Sequence, residues 1–416
     1  MREVEALIVG AGPAGSTVAR RLAERAHHVL VLEEHDRIGQ PVQCAGLVSQ
    51  RVLDLAGPDG YRIGPVLGAT VFGPGRPSVK FRAEGSRAFV IDRAGLDRHL
   101  ADRAARAGAE FEVGSKFDRL VGFEGDAPVA EIVRSDGVRS RVRAKVIIGA
   151  DGVTSAVARA FRLRRPVEIL PAFEAEFPSE GGDPQEVEVY LGRTIAPGLF
   201  GWSIPDQSGG ARVGVAANAD GTSARIYFER LVERIGKVRG RRLRSPTSFI
   251  VSGIPIGRLP RTSARGVMLV GDAAAQVKPL SGGGIYTGMR CAEIAAEVAH
   301  SALGAQDLGA SSLARYDVRW REELGGEFDR AMYLRRLFVR LTDRELDAIV
   351  GSLDRAELRG TIVAFGDIDF PSGVARALLV QSPSLMRLFP KALGALVGSP
   401  GVHLRDLDPG PRRYET

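Results

Sequence analysis

Cysteine is nearly absent: Cys44 and Cys291 are the two thiols in a chain of 416 residues. Two are too few for a disulfide framework, or for a thiolate zinc or iron–sulfur site of usual ligand count, so no metal is expected. No run of about 18 uninterrupted apolar residues is present, which excludes an obvious membrane-crossing helix. A charged-then-apolar leader is also missing, since the first apolar run already reads as a strand of the fold. The expectation is a protein that starts at its own fold and stays in the reducing cytoplasm. Internal repeats and low-complexity linkers are lacking too. The net charge of +7 comes from scattered basic residues. With no helix-turn-helix, zinc or RNA-binding signature beside them, nucleic acid is not an expected partner. Such a charge suits an anionic lipid surface, an acidic protein donor or a phosphorylated substrate.

Glycine, by contrast, is plentiful (51 residues) and in places ordered. The apolar run Ala6–Val9 enters Gly10-Ala11-Gly12-Pro13-Ala14-Gly15, a G-x-G-x-x-G sequence. A continuous apolar run suits a buried parallel strand. Gly10 permits the tight turn after it, Gly12 lets backbone approach a pyrophosphate, and Gly15 lets a helix lie close on the strand. That helix, expected from Pro13 to about Arg25, would aim its N-terminal N–H groups at phosphates. A second strand, His28–Leu32, ends on Glu33, roughly 20 residues past the glycines, where a ribose needs an acceptor. Near residue 270 the apolar run Gly266–Val270 leads into Gly271-Asp272-Ala273-Ala274. The two segments together indicate FAD.

With 44% hydrophobic residues, the chain can bury a large core and hold two or three modules. The patterning predicts an α/β protein: a Rossmann-type FAD domain, an inserted antiparallel β-sheet substrate domain and a helical C-terminal region. The FAD domain is expected in pieces (1–63, 90–163 and 250–305), the substrate domain over 64–89 and 164–249, and the helical region over 306–416. A long helix is expected over Ile285–Leu303. Ala331–Leu341 reads as a basic amphipathic helix and Leu385–Phe389 as an apolar stretch. Both suit either a lipid interface or the cap of a core.

Gly10–Gly15, Gly149-Ala150-Asp151-Gly152-Val153-Thr154-Ser155 and Gly271-Asp272 resemble the FAD-dependent aromatic hydroxylase superfamily. Within it, four segments are similar to the geranylgeranyl reductases: Pro41–Gly46, Gly201–Pro205, Gly271–Ile285 and Gly366–Ser372. The resemblance spans nearly the whole chain. It implies reduction of prenyl double bonds, most of all those of digeranylgeranylglycerophospholipids in archaeal-type membrane lipid synthesis. It also implies FAD contacts at Ala14, Glu33, Cys44, Ala45, Arg93, Asp272, Gly284 and Ile285. Asp272, at a strand's end, suits the ribityl hydroxyls, and Gly282-Gly283-Gly284 brings the N–H groups of the following helix to the flavin's pyrimidine edge. Arg93 either bridges domains or forms a surface pair with Asp92.

An isolated alkene has no carbonyl to polarise it, so hydride delivery must be matched by a nearby acid in a dry, apolar pocket. Cys44, on a loop that the superfamily places beside the flavin ring, is the catalytic candidate, because a thiol near its reference pKa of about 8.5 stays protonated at neutral pH. Cys291, near Ala295 on a small-residue helix face, reads as an inert buried hydrophobe. Tyr190, Phe200, Trp202 and Ile204 are candidates to line the substrate pocket. The stretch Leu199–Pro205 carries fewer aromatics than the family's lipid motif, which leaves chain length and head group open. The electron donor is reduced ferredoxin, a deazaflavin or NADPH; a second nucleotide signature is missing. Alternatives are a reductase of geranylgeranyl diphosphate, chlorophyll or quinone side chains, a flavin monooxygenase or halogenase, or an electron-transferring flavoprotein. Peripheral membrane contact is a further expectation.

Overall fold

The computed structural model describes residues 1–382 except 59, 76, 219 and 220. The stretch Leu385–Phe389 therefore lies outside the described residues.

Five strands form a parallel sheet, ordered Glu110–Glu112, Val29–Leu32, Arg2–Val9, Arg139–Gly149 and Val267–Leu269. Leu7, Ile8, Leu30, Val31, Ile147 and Ile148 are fully buried because helices or further strands cover both faces. One face is covered by Pro13–Ala23 and the long helix Ile285–Ala305, two residues longer than expected. On the other side, Ser115–Glu124 and Ala127–Arg134 extend the sheet as an antiparallel meander off the first half of Arg139–Gly149. The five parallel strands point their C-terminal ends toward the side of the glycine turn, where an open α/β sheet binds ligands.

A second sheet has seven strands: Ser248–Ile256, Glu168–Phe177, Ala211–Ala216, Gly201–Pro205, Glu186–Tyr190, Gly68–Phe72 and Ser78–Arg82. Its pairings are antiparallel except Glu186–Tyr190 with Gly68–Phe72, which run parallel. Alternation gives it two apolar faces. The helix Ala224–Arg239 packs Tyr227, Phe228, Leu231 and Ile235 on one of them.

Two boundaries differ from the expectation. The stretch 64–89 divides, because Arg62–Val66 and Ala88–Ile91 pair in a separate three-stranded sheet with Leu47–Val48. Ser248–Ile256 joins the seven-stranded sheet rather than the nucleotide sheet, pairing along its whole length with Glu168–Phe177.

After the long helix, Ala310–Trp320 continues through a π-turn into Gly326–Phe338. This second helix carries most of the expected amphipathic segment, yet its Arg335 is buried and bonds inward to the Gly198 carbonyl and Glu168. It covers the core, the second of the two expectations for this segment. Asp343–Leu353, Ala356–Phe365 and Pro371–Gln381 follow, and Val350 closes over Val79 and Phe81 of the sheet's last strand. Among the described residues, no helix is long and apolar enough to cross a membrane.

Candidate active site

The three glycines of the first turn do different work. Gly10 has φ +103°, and a Cβ there would meet the Ala150 carbonyl oxygen at 2.4 Å. A Cβ on Gly15 would lie 2.0 Å from the Gly10 carbonyl oxygen. Both are demanded by the fold. Gly12, by contrast, caps the helix, and a Cβ there would meet nothing within 4 Å, so its empty side is room for something other than protein. Glu33 faces the same turn: Oε2 accepts the Ala11 N–H at 3.0 Å, and Oε1 accepts the His35 N–H at 3.0 Å.

Ala14, Gly271 and Gly288 meet at one point. A Cβ on Gly288 would be 3.2 Å from the Gly271 Cα, and one on Gly271 3.1 Å from the Ala14 Cβ. Small residues thus bring the first turn, the Gly271–Ala274 turn and the start of the long helix together. Gly284 caps that helix without any side-chain acceptor, leaving the N–H groups at Ile285 and beyond for a ligand. Asp272 stands beside it, with Oδ1 3.0 Å from where a Gly284 Cβ would be. Its carboxyl is pushed up to about 6 by burial, against the charge of Arg93, and it accepts no hydrogen bond from a described residue. Ribityl hydroxyls fit that need.

Gln276 holds this turn in place: its Oε1 accepts the Gly271 N–H at 2.9 Å, and its Nε2 donates to the Tyr316 hydroxyl at 2.7 Å. The next loop is closed by Lys278 N–H to the Gly283 carbonyl, 3.1 Å, and Gly282 N–H to the Lys278 carbonyl, 2.9 Å. A strap from the far end of the described chain clamps it. Lys278 Nζ donates to Asp369 Oδ1 at 2.9 Å and to the Ile368 carbonyl at 2.7 Å. Arg51 pairs with Asp367 at 2.8 Å and lies over the Phe370 ring.

On the third side lies Cys44, partly accessible, with Sγ 3.5 Å from the Gly46 N–H. Burial pushes its thiol up, Arg93 opposes this, and the charge of Glu174 adds to it. Arg93 itself pairs with Asp97, while Asp92 pairs with Arg98 at 3.3 Å, so the surface pair Asp92–Arg93 does not form. Ala45 offers its carbonyl to Arg212, 2.9 Å away.

Facing this loop is one side of the seven-stranded sheet. Phe200 and Trp202 pack there edge to face, 6.2 Å apart, among Leu170, Ala172, Leu199 and Ile254. Ile254 also approaches the loop at Gly282, where a Cβ would lie 2.9 Å from it. Ile204 is on the same face but further on, in a cluster with Val66, Val90 and Val187 that Ala45 and Leu47 join. Tyr190 is not brought to this face. It is fully buried on the opposite one, stacked on Phe72 at 4.7 Å, with its hydroxyl donating to Glu188.

Three contributors escaped the sequence reading. Glu174 reads as the solvent-side polar residue of an alternating strand, yet it is 4% exposed and accepts the Trp202 indole N–H at 2.7 Å. Gly214, opposite both residues in the sheet, lies beneath the indole: a Cβ there would meet Trp202 Cζ2 at 2.5 Å. Arg212 donates to the carbonyls of Ala45 and Ile91, joining the sheet to the Cys44 loop. Only strand register aligns these residues, and register is not written in any one of the segments.

The open side of Gly12, the unpartnered Asp272 and the uncapped helix at Gly284 fit a flavin dinucleotide. Comparison with known proteins agrees. Residues 3–299 match the family described as FAD binding domain. The digeranylgeranylglycerophospholipid reductase of Methanosarcina acetivorans is 33% identical over 361 residues, covering 84% of this chain and 88% of that protein. A geranylgeranyl bacteriochlorophyll reductase-like protein from Thermoplasma acidophilum superposes with a TM-score of 0.82 at 26% identity, over 94% of this chain and all of that one. The p-nitrophenol 4-monooxygenase of Pseudomonas putida has a TM-score of 0.68 at 18% identity, over 88% and 98% of the two chains, a likeness of fold alone.

Proposed function

The chain belongs to the FAD binding domain family, and from that premise we propose that it is an FAD-dependent reductase saturating the isolated double bonds of geranylgeranyl chains, those of digeranylgeranylglycerophospholipids first. One observation carries the reading. The apolar face bearing Phe200 and Trp202 closes over the Cys44 loop and the flavin-side loop at Gly282, so a flexible chain would be held dry against the reacting ring. The name borne by the M. acetivorans relative supports it.

Reduced FAD supplies the hydride. The chain's residues do the rest. Gly12 leaves space for the pyrophosphate, and Glu33 faces the ribose side. Asp272 would hold the ribityl hydroxyls, and the N–H groups at Gly284 and Ile285 would favour negative charge on the bound group. The wall at Leu170, Phe200 and Trp202 excludes water from the alkene. Cys44, kept protonated by its buried setting, holds a proton at Sγ beside the substrate. Electrons come from reduced ferredoxin, a deazaflavin or NADPH; anaerobic bleaching of the bound flavin by each one alone identifies which. Peripheral contact with the bilayer would let a membrane lipid reach the pocket, and flotation with anionic liposomes at low salt tests it.

The deciding experiment is mass spectrometry of digeranylgeranylglyceryl phosphate after anaerobic incubation with the chemically reduced enzyme. Stepwise gain of hydrogen pairs is expected. An unchanged lipid over a flavin that stays bound and reduced would refute this substrate.

A further inference from the structure

Glu174 is a carboxyl group without a structural reason to be where it is. One oxygen accepts the Trp202 indole N–H, and the other, Oε1, is buried without any partner. A buried carboxylate with half its acceptor sites unused is costly, whereas a carboxylic acid there is not. The Trp202 hydrogen bond and the charge of Arg212 offset its burial only in part. Arg212, on the adjacent strand, directs its guanidinium to the carbonyls of Ala45 and Ile91, and its Nε lies 3.8 Å from Glu176. Glu176 adds a like charge, and across the other strand Glu174 is opposite the apolar Ile250. Trp202, which Glu174 bonds, packs in one cluster with Ala45 of the Cys44 loop, and the Cys44 thiol senses the charges of Glu174, Arg93 and Asp97. Burial therefore dominates, and the carboxyl is pushed up to about 7.

The sheet is also built to admit this contact. Gly214 lets the indole lie flat across a whole strand to reach Glu174.

We propose that Glu174 is the proton store of the reaction, holding the proton that reaches the substrate through the Cys44 thiol. This rests on the prenyl-reductase reading above. One alkene carbon receives hydride, with both its electrons, from the reduced flavin. The π pair forms the second C–H bond with the proton of the Cys44 S–H. The thiolate left behind takes the proton of Glu174, and the carboxylate is reloaded from water. The flavin is oxidised and the alkene reduced, and neither side chain changes oxidation state.

The test uses the FAD-loaded enzyme, Glu174→Gln and Glu174→Asp. Iodoacetamide alkylation followed against pH reads Cys44 without any turnover, and fully buried Cys291 serves as the silent control. Removing the charge should lower the thiol's titration and speed alkylation at pH 8 by about threefold or more. In anaerobic single turnover with the prenylated lipid, Glu174→Gln should reoxidise its flavin about 100-fold more slowly, as expected for loss of a positioned acid. Glu174→Asp should recover part of that rate. Unchanged alkylation, or shifted alkylation with an unchanged single-turnover rate, would overturn the proposal. A wild-type enzyme that saturates no prenyl chain would instead overturn the functional reading, while the alkylation profile would still report on the pair. Should Glu174→Gln lose FAD, Trp202→Phe takes its place. Without the indole N–H the carboxyl is harder to ionise, so the pH at which the rate falls should move up, and an unmoved break would overturn the proposal.

Discussion

Glu174→Gln should make the protein more stable in base and leave it nearly unchanged in acid. The group is 4% exposed, and its carboxyl titrates near 7 in the fold against an ordinary 4.5. Below about pH 4.5 the folded and unfolded forms are both protonated, and burial of the acid carries no ionisation penalty. As the pH rises from 4.5 to 7 the unfolded chain releases its proton first, so folding is progressively disfavoured. Above 7 the penalty is complete, about 3 kcal/mol by linkage. Glutamine keeps an oxygen for the Trp202 N–H and never ionises. Urea unfolding followed by tryptophan fluorescence at pH 5 and pH 8 would measure this in the FAD-loaded protein. With a slope of about 3 kcal/mol per M, the variant's midpoint at pH 8 should exceed the wild type's by about 1 M. Apart from Cys44, whose thiol is pushed up and stays protonated across this range, the other titrating groups contribute alike to both proteins. Midpoints that move in parallel between the two pH values would refute the reasoning. A residue that weakens the fold at working pH is the sort of element that activity retains.

Other outcomes follow from the same geometry. Gly12→Val should purify folded but colourless, since its side chain enters space that no protein atom occupies; a yellow variant would contradict the pyrophosphate assignment. Gly214→Ala should push the indole off Glu174, costing about 1–3 kcal/mol by overpacking and shifting Trp202 fluorescence, with FAD content unchanged. Cys44→Ala should keep its flavin and slow alkene reduction; unchanged turnover would reduce Cys44 to packing. Asp369→Ala leaves the Lys278 ammonium buried with only the Ile368 carbonyl and no counter-charge, a loss of up to about 3–5 kcal/mol that should appear as faster FAD release on dilution.

The nucleotide half of the site was legible because local sequence carries it. Gly10, Gly12, Gly15 and Glu33 lie within one βαβ unit, and each type has its own steric or hydrogen-bonding reason. Asp272 and Gly284 were legible for the same reason, at a strand's end and a helix's start. The substrate side was legible only as a segment. Strand Gly201–Pro205 lies in a stretch that reads as β, but whether Tyr190 shares a face with Trp202 depends on parity across a turn, and it falls on the other side. Glu174 and Gly214 were invisible because their meaning lies in alignment across three strands. Of the two readings of Ala331–Leu341, the cap of a core is the one that fits Arg335, whose charge is satisfied inward by Glu168, a residue 167 positions away.

The clamp on the flavin-side loop also has a consequence in time. Lys278 and Asp369 are separated by 91 positions. At a synthesis rate of about 5–20 residues per second, the loop waits roughly 5–20 s after leaving the ribosome before its counter-charge exists. Through that interval its lysine faces water, and the turn is held by its own backbone bonds. Capture of the cofactor in the finished geometry therefore waits for the last part of the chain to be made.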